Sequence, residues 1–497
     1  MRLRSVPYKY VVAAVFVVAV FMDLLDMTIV NVALPTLGKQ FHAANNTLVW
    51  VVTGYLLSLA IWIPASGWIG DRVGTKKTFL FALAIFTLSS ALCGLAWNMS
   101  ALIGFRILQG VGGGMLTPVG SAMLFRAFPP NERARASSIL AVPAAIGPAL
   151  GPVLGGLLVD KADWRWVFYV NVPIGALGFV FALLFLREHR EPATGRFDPW
   201  GFVFSGCGLA LALYALSRAP DDGWTSFNVA GSGILGLVIF AALIITELRA
   251  TAPMLNLRLF ANRLFRGANI VMLLFFGGYA GLLFVLPLFL QQLRGLSALE
   301  SGLTTFPQAA GVIVGVPLAG RLYHRVGPRR FVMVAFAGTA GAAGLLLLID
   351  LQTALPWVAA ILFGYGLAAA FSIIAIQTAT FATIAPAEMG QASSLFSTVR
   401  QVGSSLGVAA LATVLVTRGN AHVAAAVKAA APAAQFAARR HGLLLGFHDA
   451  YAAAALIALV GVAAALLIQD ADAAATMQPA SERPEAELPE LVAGHAA

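Results

Sequence analysis

Long apolar runs, separated by short polar breaks, extend along the chain from Tyr10 to Ile468. A membrane-spanning helix needs about 20 mostly apolar residues, and runs of that size recur throughout. They lie near residues 10–36, 48–70, 78–97, 100–125, 137–159, 166–186, 200–217, 228–247, 267–291, 301–320, 331–350, 356–381, 393–417 and 448–468. The pattern therefore predicts an all-α polytopic membrane protein with about 14 transmembrane helices.

The polar breaks contain an internal repeat, which indicates the architecture before any single motif does. The segment Gly67–Gly74 reads GWIGDRVG, and the related GRLYHRVG follows at Gly320–Gly327, 253 positions later. A second pair, PNERARASS from Pro130 and PAEMGQASS from Pro386, is 256 positions apart. Six helices that end near Arg187 would give a shorter offset. The spacing therefore predicts two parallel six-helix halves with two helices inserted between them.

The repeat divides the chain into four parts. We expect an N-terminal six-helix bundle at 1–187, an inserted helix pair with its linkers at 188–261, a C-terminal six-helix bundle at 262–469 and a disordered cytoplasmic tail at 470–497. The last part is rich in Ala, Pro and Glu and too polar to become ordered by burial. The break at 418–447 is long and basic, and we expect it to be an outer loop.

Composition and charge agree with a membrane protein. The chain is 59% hydrophobic and 11% charged, whereas soluble proteins are about 25% charged. A net charge of +10 would suggest a nucleic-acid partner in a soluble protein, but most of the Lys and Arg residues lie in the breaks on one side. This bias is typical of cytoplasmic loops. We therefore expect a multi-pass protein of the inner (plasma) membrane with both termini in the cytoplasm and no nucleic-acid partner.

Five motifs in chain order resemble the major facilitator superfamily and, within it, the fourteen-helix drug:proton antiporters of the EmrB/QacA type. They are LDMTIVNVALP at 25–35, the loop at 67–77, RILQG at 106–110, GPALGPVLGG at 147–156 and WRWVFYVNVP at 164–173. The resemblance covers nearly the whole chain. It implies the major facilitator fold, alternating access and exchange of a small-molecule substrate for protons. It also implies no cofactor beyond the proton gradient, no metal, and a monomer in the lipid bilayer.

Ionisable side chains inside apolar runs are costly and mark ion or substrate pathways. Asp23 and Asp26 are three residues apart, which places both on one face of the first helix. Two neighbouring carboxylates in a low-dielectric cavity cannot both ionise cheaply. We expect Asp26 to carry the coupling proton and Asp23 to extend the site toward cationic substrates; the alternative for each is a structural hydrogen bond. At the repeat offset the second half has Phe276 and Tyr279, and so no acid.

Further motif residues are assigned to the same proton and substrate site. The resemblance implies that Arg106 faces the central cavity and is coupled to the proton step, and a structural bond from Arg106 to helix carbonyls is the alternative. Asn31 and Gln109 belong to the same motifs and are assigned to the site with it. For Arg400, in the second half, a cavity position and a helix interface remain open.

The loop after the second helix has a gating role by resemblance. Its expected gating residues are Gly67, Asp71, Arg72, Gly74 and Lys76. The glycines are expected to permit a tight return that brings Asp71 and Arg72 against neighbouring helix ends. A basic topological anchor would explain Lys76 but not Asp71. His324 replaces Asp71 in the second half, so we expect a weaker second gate there.

In the fifth helix, Gly147, Gly151 and Gly155 recur every four residues and form a stripe that allows close helix approach. Pro148 and Pro152 are expected to add kinks. The resemblance implies that this motif marks antiporters and seals the path against leak. Plain tight packing is the alternative.

Other function classes lack the residues that they need. The chain has no GxxxxGK[ST] phosphate loop, and it has no HExxH motif or Ser/His pair of an intramembrane enzyme. The sequence therefore predicts a non-enzymatic, proton-coupled antiporter that exports small organic compounds, such as drugs, lipophilic cations or toxic metabolites. A major facilitator exporter or importer of a specific metabolite or nutrient remains the alternative.

Overall fold

Helices form the regular structure of the chain. The computed structural model describes residues 7–43, 45–191, 197–250 and 253–477, and within them 14 segments are long and apolar enough to cross a membrane. The helices are α1 Tyr8–Phe41, α2 Asn45–Val73, α3 Thr75–Gly94, α4 Met99–Ala127, α5 Arg133–Lys161, α6 Trp166–Tyr169, α7 Asn171–Phe185, α8 Pro199–Asp222, α9 Phe227–Arg249, α10 Arg263–Leu288, α11 Ala298–Val326, α12 Pro328–Leu345, α13 Leu355–Phe381, α14 Met389–Ala429, α15 Gln435–Ala464 and α16 Ala474–Met477. The predicted all-α fold is confirmed.

The two halves have the same internal arrangement. In the first half α1 packs on α5, α2 on α4, and α3 on α4 and α7. In the second half α10 packs on α14, α11 on α13, and α12 on α13 and α15. The sixth span of the first half is divided into α6 and α7, on either side of Val170. The packing partners therefore correspond helix by helix, as the sequence repeat predicts.

The inserted helices α8 and α9 pack on each other at the side of the bundle. α8 contacts α2 of the first half and α14 of the second half. Large apolar side chains of α9, among them Ile234, Leu237 and Val238, are exposed on the outer surface, where lipid would cover them. The inserted pair thus lies beside the junction of the two halves. The exact domain boundaries remain predictions.

The prediction of an outer loop at 418–447 is wrong, because α14 and α15 continue through most of it. α14 has 41 residues, about 60 Å at about 1.5 Å per residue, which is twice the roughly 30 Å hydrocarbon core. Asp449 of α15 lies 2.9 Å from both Arg418 Nε and His422 Nε2 of α14. Hydropathy falls in this segment, but its alanines favour a helix.

The predicted disordered tail also begins too early. Residues 470–477 form a short 3₁₀ helix followed by α16. The carbonyl oxygen of the buried Thr476 lies 3.0 Å from His324 Nδ1. Asp470 Oδ1 accepts a hydrogen bond from the backbone N–H of Arg329 at 2.8 Å. The amino-acid composition of the tail does not indicate that His324 and Arg329 hold its first residues in place. The rest of the predicted tail, 478–497, lies outside the described residues.

Candidate transport site

A cavity of about 610 Å³ lies between the two halves. Helices α1, α2, α4 and α5 line it from the first half, α10, α13 and α14 from the second, and the inserted helix α8 closes one side. The lining is mostly apolar and includes several aromatic rings, namely Phe16, Phe276, Tyr279, Phe284 and Phe396. Of its described lining residues, Asp23 and Arg400 carry charge, and they lie on opposite halves. A largely apolar cavity with a few polar groups is typical of a site for a drug-sized molecule.

Asp26 does not line this cavity but lies in the interior of the first half. Its carboxylate accepts hydrogen bonds from Arg106 Nη1 at 2.5 Å, Gln109 Nε2 at 2.9 Å and Asn171 Nδ2 at 3.0 Å. Arg106 also donates through Nε to the carbonyl oxygen of Val51 at 3.1 Å. Both charges of the Asp26–Arg106 pair are buried. Their hydrogen bonds compensate for the water that each charge has lost.

Tyr55 of α2 connects this buried pair to the cavity. Its hydroxyl donates to Asp23 Oδ1 at 2.5 Å, and its ring lies against the Arg106 guanidinium, with Cζ 4.2 Å from the ring centroid. Thr117 donates to the other oxygen of Asp23 at 3.3 Å. A Cβ at Gly113 would lie 2.7 Å from the Tyr55 hydroxyl, so glycine is needed for this approach. Asp23 therefore meets the cavity on one side and contacts the buried pair through Tyr55 on the other.

The predicted site residues are only partly brought together. Asp26, Arg106 and Gln109 form one cluster, but the expectations that Arg106 faces the cavity and that both acids share it are wrong. Three residues along a helix leave a rotation of about 60° between side chains, and this is enough to direct Asp23 and Asp26 to different partners. Asn31 is exposed and donates to a carbonyl oxygen of its own helix at 3.3 Å, outside the cluster.

The sequence motifs do not single out two functional candidates, Asn171 and Tyr55. Asn171 was present in the fifth resembling motif, and an amide inside an apolar run was the signal that could have found it. Tyr55 had no comparable signal, because its role depends on which helices meet it. The expectation that Phe276 and Tyr279 lie opposite the first-half acids fits their position in the cavity wall.

Hydrogen bonds between the two halves cluster at one end of the bundle, which we call the closed end. The backbone N–H of Gly67 donates to Ser394 Oγ at 2.8 Å. A Cβ at Gly67 would overlap the Gly390 carbonyl oxygen. Gly67 is therefore a close-contact position within the last turns of α2. The expectation that it forms part of the tight return is wrong. The return itself occurs at Gly74, whose φ is 118°.

Asp71 joins the first half to the start of α14. Its Oδ1 accepts from Arg126 Nη2 at 2.6 Å, and Arg126 Nε donates to the carbonyl oxygen of Pro386 in the second half at 2.9 Å. The Asp71 carboxylate lies against Gly390, where a Cβ would overlap it. Gly390 is in the first turn of α14, where the helix dipole favours a negative charge. This arrangement fits the predicted gating role of Asp71.

The other predicted gating residues have different positions. Lys76 contacts its own half, with its backbone N–H 3.0 Å from Glu188 Oε1 and its Nζ 2.7 Å from the carbonyl oxygen of Leu183. Arg72 is exposed. His324, at the position of Asp71 in the second half, contacts Thr476 instead of the opposite half. The gating assignments of Lys76 and Arg72 remain predictions.

We expect Asp71→Asn to slow transport about tenfold and His324→Asn to change it little. A hydrogen bond to a charged group contributes about 1.5–3 kcal/mol, and about 1.4 kcal/mol changes an equilibrium tenfold. Of these two side chains, Asp71 meets the opposite half, at Gly390 and through Arg126 at Pro386, whereas His324 contacts Thr476 of its own half. Transport rates at matched membrane abundance test this. Equal loss of transport in the two variants would show that the difference between Asp71 and His324 does not affect transport.

The glycines of the α5 motif pack against α1. The residues of α1 that a Cβ at Gly147, Gly151 or Gly155 would meet include Leu24, Thr28 and Ile29. The predicted stripe is therefore a close helix contact. Pro148 lines the cavity, and the side chain of Pro152 lies outside the described residues. Sealing against leak remains a prediction.

Comparisons with known proteins agree with this architecture. A family model described as Major Facilitator Superfamily matches residues 16–408. The chain is 35% identical over 415 residues to the multidrug resistance protein B homolog of Mycobacterium tuberculosis, covering 82% of this chain and 76% of that protein. It is 32% identical over 422 residues to the tetracenomycin C resistance and export protein of Streptomyces glaucescens, covering 84% of this chain and 77% of that protein.

A solved structure shows the same fold. The crystal structure of the human organic anion transporter MFSD10 (TETRAN) matches with a TM-score of 0.67 and 16% identity, covering 93% of this chain and 100% of that chain. At this identity the likeness concerns the fold alone. The family model and the relatives named above carry the assignment further: the chain belongs to the major facilitator superfamily and is a multi-pass membrane transporter, not an enzyme.

Proposed function

We propose that this protein is a proton-coupled antiporter that exports small organic compounds across the cytoplasmic membrane. One observation carries the proposal: Asp23 lies in the cavity between the halves and accepts a hydrogen bond from Tyr55, whose ring lies against the guanidinium of the Arg106–Asp26 pair. A carboxylate at membrane depth is a natural site for proton exchange. Relatives named for multidrug resistance and for tetracenomycin export support outward transport of organic compounds.

We assign the coupling proton to Asp23 instead of Asp26. Three donors hold the Asp26 carboxylate away from the cavity, so a proton there would disrupt the first half. Asp23 is within reach of the cavity contents, and a cationic substrate group and a proton compete for the same oxygen atoms. This competition is what an exchanger requires, because the two ligands must occupy the site alternately.

Alternating access would proceed by rocking of the two halves about the cavity. The contacts of Gly67 and Asp71 with the start of α14 close one end in the structure, and they would separate in the opposite state. The bias of Lys and Arg along the chain supports a cytoplasmic position for the closed end and for both termini. We expect a monomer, since one chain supplies both of the halves that form the cavity.

Reconstituted vesicles test this function. With an imposed pH gradient and no ATP, the protein is expected to move a fluorescent substrate against the direction of proton flow. An uncoupler should stop this movement. Transport that needs ATP would contradict the proposal. Accumulation in the same direction as proton flow would instead favour an importer of the same fold.

A further inference from the structure

Arg400 of α14 is the second charged residue in the cavity, on the wall opposite Asp23. Its guanidinium lies near Phe276, with Cζ 5.8 Å from the ring centroid. In the part of the chain that the structure describes, no carboxylate is within ion-pair distance of it and no hydrogen bond satisfies it; Asp23 acts on it only at longer range across the cavity. Its donors are therefore available to a bound molecule.

Arg106 shows what a structural arginine looks like in this bundle. Its guanidinium is bonded to Asp26, to Gln109 and to a backbone carbonyl oxygen. A membrane-buried charge without such partners is costly, so a bound anion at Arg400 would offset an unfavourable contribution to stability. The guanidinium is planar and matches a carboxylate with two parallel hydrogen bonds, which an ammonium cannot do.

The two walls of the cavity are chemically different. The second-half wall combines Arg400 with the polar side chains of Gln401 and Ser404 and with the rings of Phe276 and Tyr279. The first-half wall offers the carboxylate of Asp23. A molecule that satisfies both walls has a cationic group at one end, an anionic group at the other and a flat apolar body between them.

We propose that the cavity binds zwitterionic aromatic compounds, with a cationic group at Asp23 and a carboxylate or similar planar oxyanion at Arg400. This inference rests on the proposed function and narrows its substrate class. The cationic end of the compound competes with the proton for Asp23, so substrate and proton still occupy the site alternately. The anionic end fixes orientation and selects against compounds that carry positive charge alone, since these leave Arg400 without a partner.

A matched pair of dyes tests the proposal. Rhodamine 110 has a free carboxyl group on a cationic ring system, and rhodamine 123 is its methyl ester. Binding to the purified full-length protein at one pH, measured by fluorescence polarisation, is expected to be at least about tenfold tighter for rhodamine 110. Equal binding of the two dyes by the unaltered protein, or preference for the ester, would overturn the proposal without any variant.

Variants locate the preference. Arg400→Gln is expected to bind both dyes with the affinity that the ester has for the unaltered protein, and Arg400→Lys to retain part of the preference. Arg439→Gln, which changes an exposed arginine of α15, is the matched control and should keep the full preference. A full preference in Arg400→Gln would place the anion elsewhere and reject the assignment.

The two proposals fail separately in this design. Gradient-driven export of both dyes at equal affinity would reject the zwitterion site and leave the antiporter standing. Tight binding of rhodamine 110 through Arg400, without any gradient-driven movement of either dye, would reject the antiporter and leave the binding site standing.

Discussion

Asp23→Asn is expected to abolish gradient-driven transport in reconstituted vesicles while the protein still folds. The amide has the size of the carboxylate, and its oxygen can still accept the hydrogen bond that Tyr55 donates in the structure. It cannot take up and release a proton, so exchange should stop for cationic and neutral substrates alike. The measurement is the initial rate of dye movement under an imposed pH gradient.

Asp472→Asn is the matched control for this variant. Asp472 is exposed in the short 3₁₀ helix after α15, and its replacement should leave the rate unchanged. Loss limited to cationic substrates in Asp23→Asn would return the coupling proton to Asp26 and leave Asp23 as a substrate contact. A normal rate for all substrates would remove Asp23 from the transport mechanism.

Asp26→Asn is expected to destabilise the first half by about 3–5 kcal/mol, the cost of leaving a buried charge without its partner. The carboxylate accepts from Arg106, Gln109 and Asn171. An asparagine has one acceptor oxygen, and its NH₂ group would face one of these donors. Thermal unfolding of the purified protein should therefore shift to a clearly lower temperature.

A double-variant cycle separates the ion pair from other effects. Arg106→Gln alone should also destabilise, because it leaves Asp26 charged and unpaired. Together with Asp26→Asn it should cost less than the sum of the two single changes, since neither charge remains. Additive losses would show that the two side chains do not stabilise each other, in spite of the 2.5 Å contact between them.

The fold could be predicted from the sequence because the bilayer leaves few choices. Apolar runs of spanning length must be helices in lipid, and the repeat then defines two equivalent halves. Helical extension beyond the membrane was not predictable from hydropathy, which reports burial in lipid and not backbone conformation. α14 illustrates this, because it continues to Ala429 well past the end of its apolar run.

For the site, the sequence could predict some of the residues but not their orientation. Motif residues identified Asp26, Arg106 and Gln109, which do meet, but which residues face the cavity depends on helix rotation and on neighbours distant in the chain. Arg106 and Arg400 show the limit: both are arginines inside apolar runs, and the motif that contains Arg106 does not say which of the two faces the cavity. The structure places one in a satisfied ion pair and the other in the cavity wall.

Proton movement driven by substrate is the most direct test of proton-coupled exchange. Vesicles that contain the protein and a trapped pH-sensitive dye, without ATP or an imposed pH gradient, receive an inward gradient of rhodamine 110. Protons are expected to leave the vesicles as the substrate enters, and Asp23→Asn vesicles should show no pH change. Substrate entry without any proton movement, or with protons moving in the same direction, would contradict exchange at Asp23.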